Sequence, residues 1–273
     1  MLKEMLHQVK TSCPLVHNIT NYVTVNDCAN ILLACGGSPI MSDDVADVED
    51  ITTICGGLNI NIGTLNQNTI PAMFLAGKRA NQLNHPVLLD PVGAGASKLR
   101  TETAQKLLAE IKFTAIRGNI SEIKTLASGS GTTKGVDADL ADAVTEENLP
   151  EAIAFAQSFA QATNAVVAIT GAIDLVSDAK QTYVIRNGHP MMSKITGSGC
   201  MLSAMLTAYL VANPEKPLEA AAAAVCAMGL CGEIAVKHLQ PTEGNSTFRN
   251  HLIDAIYHLD EETLEAGANY EIR

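Results

Sequence analysis

The chain has no tryptophan, and only 4% of its 273 residues are aromatic. A core built on large stacked rings is therefore excluded. With 20 Gly and 47% hydrophobic residues, the interior must be aliphatic and small side chains packed close to the backbone. Charge is also scarce, at 17% of residues, and positive charge is scarcest. Eighteen Lys and Arg stand against 29 Asp and Glu, a formal net charge of -11. Such a field gives no long-range attraction to nucleic acid or to an anionic membrane, so an anionic ligand needs a local site. No CxxC occurs and seven Cys is an odd number, so complete pairing is excluded. Cys28, Cys35, Cys55, Cys226 and Cys231 lie in apolar stretches, which fits reduced thiols in a cytoplasmic protein. HExxH, paired-Cys zinc spacing, a Walker A loop and a strand-GxGxxG-helix unit are all missing. MLKEMLHQVK has no apolar run that reads as a signal peptide. The uncharged run Ala220 to Gly232 falls short of the about 20 residues that cross a bilayer, and reads as a buried helix.

What is present is an alternation of short apolar runs with longer amphipathic ones. Leu58-Ile62, Pro86-Asp90, Thr114-Arg117 and Ala165-Ile169 read as buried strands. Tyr22-Cys35, Thr69-Asn84, Arg100-Ile111 and Glu151-Ala162 read as helices. Continuous apolar strands separated by helices predict an α/β fold with a mostly parallel central sheet covered on both faces. Asp174-Ser177 and Thr182-Arg186 then read as an antiparallel hairpin, and Cys200-Val211, Leu218-Lys237 and Phe248-His258 as helices. No linker composition divides the chain, so residues 1–273 read as one domain. Ser128-Asp139 reads as a mobile surface loop.

In an open parallel sheet, ligands bind beyond the carboxyl ends of the strands. Gly63-Thr64, Asp90-Pro-Val-Gly-Ala-Gly95, Arg117-Gly-Asn119 and Thr170-Gly171 stand at those ends. Thr196-Gly-Ser-Gly-Cys200 opens a helix without charge, and its first amides and dipole form an anion site. Cys200, in the first turn, is either a thiol of depressed pKa or a small buried hydrophobe. Asp90 closes an apolar strand beside glycines, which suits a metal or phosphate site. Glu122 is either a metal carboxylate or half of a capping box. Arg117 either binds phosphate or neutralises those carboxylates. Thr20 or Asn21 reads as the N-cap of the helix from Tyr22.

The stretches PLVHNITNYV, ANILLACGGSPIM, LNINIGTL, LLDPVGAGAS, RTETAQKLL, AIRGNISEI, KGVDA, VVAITGAIDLV and KITGSGCMLSAM, in that order, resemble the hydroxyethylthiazole kinase family of the ribokinase-like superfamily. The Cys of TGSGC separates this family from relatives that carry Asp there. The family's Gly-Pro-Gly before a Ser/Thr-Phe pair stands here as Glu243-Gly-Asn-Ser-Thr-Phe248. The resemblance implies a ribokinase-like fold without a separate lid domain. It implies ATP-dependent phosphorylation of the hydroxyl of 4-methyl-5-(2-hydroxyethyl)thiazole, in thiamine biosynthesis or salvage. It also implies a homotrimer with sites at subunit interfaces. Carried over by position, Asn21, Met41, Gly63 and Gly197 bind the thiazole. Arg117 and Thr170 bind ATP, Asp90 and Glu122 organise Mg²⁺ mainly through water, and Cys200 is the catalytic residue at the acceptor hydroxyl. Rival readings are a hydroxymethylpyrimidine or pyridoxal kinase, an ADP-dependent dehydratase, or a silent binding protein on the same frame.

Overall fold

The computed structural model describes residues 1–128 and 143–273. The loop expected over Ser128-Asp139 therefore lies, from residue 129 onward, outside the described residues. Helix α1 (Leu2–Ser12) precedes strand β1 (Leu15–Ile19), α2 (Val25–Cys35), β2 (Ser38–Met41), α3 (Val48–Ile54) and β3 (Gly57–Asn61). Then follow α4 (Thr69–Gln82), β4 (Val87–Asp90), α5 (Lys98–Glu110), β5 (Ala115–Asn119) and α6 (Ile120–Ser128). After the undescribed segment come α7 (Leu149–Thr163), β6 (Val166–Thr170), β7 (Asp174–Ser177) and β8 (Thr182–Ile185). Helices α8 (Ser198–Ala212), α9 (Pro217–His238), α10 (Asn245–His258) and α11 (Glu261–Gly267) and strand β9 (Tyr270–Ile272) complete the chain.

The nine strands form one sheet in the order β2-β1-β3-β4-β5-β6-β7-β8-β9. Neighbours from β2 through β6 are parallel, and β6 to β9 are antiparallel. The period-2 alternation of a strand sorts its side chains to two faces. Leu88 joins the cluster under α1, α2, α8, α9, α10 and α11, while Val87 and Leu89 join the cluster under α4, α5, α6 and α7. This is the α/β arrangement that the apolar runs predict, with helices on both faces.

Strand β1 sends its crossover outward to β2, whereas β3 sends its own the other way to β4. The sheet therefore has a topological switch point between β1 and β3. The chain leaving their carboxyl ends must diverge there and open a crevice. Helix α8 packs across β1, β3 and β4, and its amino end lies at that crevice. Cys200 through Leu210 of α8 are all buried, as an uncharged helix requires. By length and composition α9 does suffice to cross a membrane, because the helix outruns the uncharged stretch at both ends, but 78% of its most apolar window is buried inside the protein.

Several elements differ from expectation for identifiable reasons. Helix α2 starts at Val25, not Tyr22, and neither Thr20 nor Asn21 is its N-cap; Thr24 is. The Asn21 side chain instead bridges a turn, its Oδ1 accepting from Thr24 N at 3.1 Å and from Thr24 Oγ1 at 3.0 Å. Strand β5 runs on past Arg117 through Gly118 and Asn119, which pair with Ile169 and Thr170. Helices α3 and α11 and strands β1 and β9 are short or polar, and their periodicity is weak, whereas α1 carries a full helical period in Leu2, Met5, Leu6 and Val9. In β1 the polar His17 and Asn18 are buried because neighbours satisfy them.

His17 shows how. Its Nε2 lies 2.9 Å from Ser42 O, which can only accept, so the ring proton sits on Nε2. Nδ1 lies 2.9 Å from Thr52 Oγ1, whose one proton goes to Val48 O at 2.6 Å. Burial lowers the His17 pKa below 6.5. The folded state thus resists a proton that the unfolded chain takes up below about pH 6.5, and stability is lost as the pH falls through that range. Asp90, Glu122 and Asp174 have raised pKa values and act in the opposite direction. The His17 contribution therefore shows as a difference. Between pH 7 and 5, urea unfolding of the parent is expected to lose stability relative to His17→Gln, by at most about 1.4 kcal/mol per pH unit. Parallel curves for the two proteins would contradict this.

Candidate active site

At the switch point four side chains close on one another. Asn61, the last residue of β3, donates through Nδ2 to Asp90 Oδ2 at 2.8 Å and to Cys200 Sγ at 3.2 Å. Its Oδ1 accepts from Asn21 Nδ2 at 3.1 Å and from Gly63 N at 2.9 Å. Asn21 Nδ2 also reaches Cys200 Sγ at 3.3 Å. Asp90 ends β4 with no solvent exposure, and Ser203 Oγ gives its Oδ2 a second donor at 2.8 Å. Ser203 stands one turn beyond Cys200 on the same face of α8, so one helix serves both groups.

Asp90 Oδ1 is buried and accepts no hydrogen bond; Arg117 Nη1 approaches it at 3.7 Å. Burial pushes the Asp90 carboxyl above its usual range, against Arg117, Ser203 and Asn61, which favour the charge. Arg117, from the middle of β5, donates through Nη2 to Thr170 Oγ1 at the end of β6, at 2.6 Å. Its guanidinium also lies flat on Gly199. A Cβ there would stand 2.4 Å from Nη1 and 2.6 Å from Nη2, so only a glycine lets the cation lie beside the start of α8.

That helix start uses its other glycine differently. Gly197 holds a left-handed φ of +85°, and a Cβ on it would lie 2.5 Å from Thr24 Cγ2. The α8 and α2 starts thereby meet. The amides of residues 198–200, like those of any first turn, have no acceptor within the helix and carry the positive end of its dipole.

Glu122 is the capping box that its spacing allows. Asn119 N donates to Oε2 at 2.8 Å, and Glu122 N donates to Asn119 Oδ1 at 2.9 Å. Its Oε1 accepts from Gly93 N at 2.7 Å, which ties the glycine loop after β4 to the start of α6. Burial, and then the Asp90 charge, push the Glu122 carboxyl up to about 7. Among the described residues no group of three His, Cys, Asp or Glu is arranged to cage a metal ion.

Cys200 departs from one of the two expectations. Its thiol pKa is raised, not depressed, by burial and then by the Asp90 charge, and these outweigh the hydrogen bond with Thr24, the Arg117 charge and the hydrogen bond from Asn61. The group is a neutral thiol whose sulfur accepts two amide N–H donors, which leaves its S–H directed elsewhere. Gly63 stands against Asn21 and Asn61, and its carbonyl accepts from Arg100 Nη2 at 2.7 Å. Met41 ends β2, half-buried, one strand beyond β1 on the same rim, and packs on the core cluster to which Cys200 belongs.

Of the residues singled out in the sequence, Asn21, Gly63, Asp90, Arg117, Thr170, Gly197 and Cys200 are thus brought into one neighbourhood. Glu122 joins through Gly93. Asn61, Ser203 and Thr24 were not singled out, and Gly199 only as part of the TGSGC helix start. The signals were faint: a polar residue ending the LNIN run, a serine three positions past Cys200, and the second glycine of TGSGC.

A buried carboxylate, a guanidinium and a glycine-rich helix start thus meet at the rim of this sheet, on a ribokinase-like fold. A ribokinase-like superfamily protein from Enterococcus faecalis V583 shares the fold, with a TM-score of 0.62 at 12% identity over 93% of this chain and 95% of that one. The model of the hydroxyethylthiazole kinase family matches residues 6–262. Hydroxyethylthiazole kinase of Clostridium acetobutylicum is 63% identical over 271 residues, 99% of either chain. The solved hydroxyethylthiazole kinase protein of Pyrococcus horikoshii OT3 superposes with a TM-score of 0.88 at 33% identity, over 100% of this chain and 98% of that one. The chain belongs to the hydroxyethylthiazole kinase family, and it is a kinase.

Proposed function

We propose that this chain transfers the γ-phosphoryl group of ATP to the primary alcohol of 4-methyl-5-(2-hydroxyethyl)thiazole, a step of thiamine biosynthesis or salvage. The observation that carries the reading is the meeting of Asp90, Arg117 and the α8 amino end with the Asn21-Asn61-Cys200 cluster at the switch point. Phosphoryl transfer asks for alignment and for neutralisation of spreading negative charge more than for covalent chemistry. Arg117, steadied by Thr170, and the amides of residues 198–200 supply the neutralisation. Asn21, Met41, Gly63 and Gly197 line the acceptor side. Both ends of the Asn21 amide are already engaged by protein groups, so Asn21 chiefly holds Cys200 and shapes the pocket.

Mg²⁺ fits this site through water. The open Asp90 Oδ1 is the one oxygen of the two carboxylates free of hydrogen bonds, since both Glu122 oxygens accept backbone amides. Asp90 and Glu122 would hold the hydrated ion, whose charge supports the phosphates, in keeping with the few protein ligands that Mg²⁺ usually takes. The Cys200 thiol, kept neutral by its surroundings, orients the acceptor hydroxyl rather than removing its proton.

Release of ADP with hydroxyethylthiazole, and none with the same thiazole lacking its hydroxyl, is the expected result; equal release with both overturns the reading. A panel with hydroxymethylpyrimidine and pyridoxal separates the other kinases of this fold. Cys200→Ala is expected to keep turnover within about 10²-fold of the parent, whereas loss of a general base costs up to about 10⁴-fold. A loss at that upper end assigns the proton to Cys200.

Residues 1–273 are proposed as one domain, supported by the single sheet that collects strands from both ends of the chain. A homotrimer is proposed from the exposed Tyr22, Val23 and Leu33, apolar groups just beyond Asn21 and along α2. Sedimentation at three times the chain mass is the expected result. Seven free cysteines support a cytoplasmic location.

A further inference from the structure

Asn61 is fully committed. An asparagine amide offers two N–H donors and one oxygen with two lone pairs, and here all four are used, by Asp90, Cys200, Asn21 and Gly63. Gly63 N can only donate, so it must face Oδ1, and this fixes which end of the amide is which. The donor end therefore faces Asp90 and Cys200, and the acceptor end faces Asn21. Asn61 is itself 1% exposed, at the last position of β3, paired in register with Asp90 on β4. Its backbone is fixed by the sheet, and its side chain has no freedom left to spend.

Resting on the proposed kinase reading, we propose that Asn61 is the positioning residue that locks the Cys200 thiol and the Asp90 carboxylate into one geometry, joining the acceptor side of the site to its phosphate side. Its two ends have separable duties. The donor end sets where the thiol and the carboxylate point. The acceptor end holds Asn21 and the Gly63 turn, which shape the thiazole pocket. A purely structural asparagine would move both sets of properties together, whereas this arrangement lets them be moved apart.

Asn61→Asp keeps an acceptor oxygen for Asn21 and Gly63 but replaces the amide with a carboxyl that can at most share one proton with Asp90 and leaves Cys200 without its donor. In the full-length protein, thiazole affinity measured by calorimetry without nucleotide is expected to stay within about 3-fold of the parent, while kcat falls by about 10²-fold, in the range that misplacing a reacting group costs. Asn61→Ala removes both ends and is expected to weaken affinity and lower kcat together. Equal losses of affinity and kcat in Asn61→Asp, or a kcat within 3-fold of the parent, overturn the proposal.

A second measurement does not depend on which reaction the protein runs. Alkylation of Cys200 by iodoacetamide, followed by peptide mass spectrometry in folded protein, is expected to quicken at least 5-fold in Asn61→Ala. The buried Cys35 and Cys226 serve as internal controls. An unchanged Cys200 rate also overturns the proposal. If the parent releases no ADP with hydroxyethylthiazole while Cys200 does quicken in Asn61→Ala, the kinase reading fails and the coupling of Asn61 to the thiol stands.

Discussion

Arg117→Ala is expected to lower kcat/KM by about 10³-fold, in line with what a single arginine contributes to the transition state of phosphoryl transfer. The expectation follows from its place. The guanidinium sits between Asp90 Oδ1, Thr170 Oγ1 and the bare backbone of Gly199, where the phosphates must lie if the helix start binds them. Its side chain is only 12% exposed, so little solvent screens that charge. Arg117→Lys is expected to recover little, because an ammonium lacks the planar fork that reaches Thr170 and lies flat on Gly199 at once. Removing the cation also strips Asp90 of its charged partner. Taking one member from a buried pair costs about 3–5 kcal/mol, and proton uptake by Asp90 will relieve part of that. Thermal unfolding should therefore accompany the kinetics. A well-folded Arg117→Ala protein within 10-fold of parental kcat/KM would remove Arg117 from the proposed mechanism.

Gly199→Ala should separate folding from activity most cleanly. The residue lies in the first turn of α8, and its φ is not in the left-handed region. Alanine favours a helix over glycine by about 1 kcal/mol, so the helix itself gains. The new Cβ, however, would stand 2.4–2.8 Å from three atoms of the Arg117 guanidinium. The guanidinium is tethered by Thr170 and drawn to Asp90, so it can yield only by leaving the phosphate side of the site. We expect a loss of about 10²-fold in kcat/KM with a smaller fall in thermal midpoint than in Arg117→Ala, because the cation is displaced rather than removed and the helix gains from alanine. Gly197→Ala is the contrast: its left-handed φ and its contact with Thr24 make it costly to fold as well as to turn over. If Gly199→Ala retains parental activity, Arg117 has another place to act from.

The relation between the two glycines shows where sequence reasoning stopped. Both were legible as a flexible, amide-rich helix start. Only the folded chain separates one that must take a left-handed turn from one that must have no Cβ. Cys200 makes the same point for charge. A first-turn thiol reads equally as activated or as buried, because a helix start lowers its pKa and an apolar environment raises it. Burial wins, since the carboxylate of Asp90 adds to it and no cation lies close enough to reverse the balance. Glu122 is equally ambiguous in sequence, and it is the capping box that its spacing permits.

Local order was largely set by the chain itself. Short apolar stretches bounded by turn residues, Ala165–Ile169 the clearest, read as strands buried on both faces. Helical periods between them demand parallel crossovers, and uncharged α8 and α9 demand an interior. Those conclusions need only the hydrophobic effect and the geometry of strand and helix, which act over a few residues at a time. The meeting of Asn21, Asn61, Asp90 and Cys200 belongs to the tertiary structure alone. Up to 179 residues separate them along the chain, and what joins them is the reversal of strand order between β1 and β3 together with the angle at which α8 crosses the sheet. No local pattern encodes that register, because it arises only when every layer is packed at once.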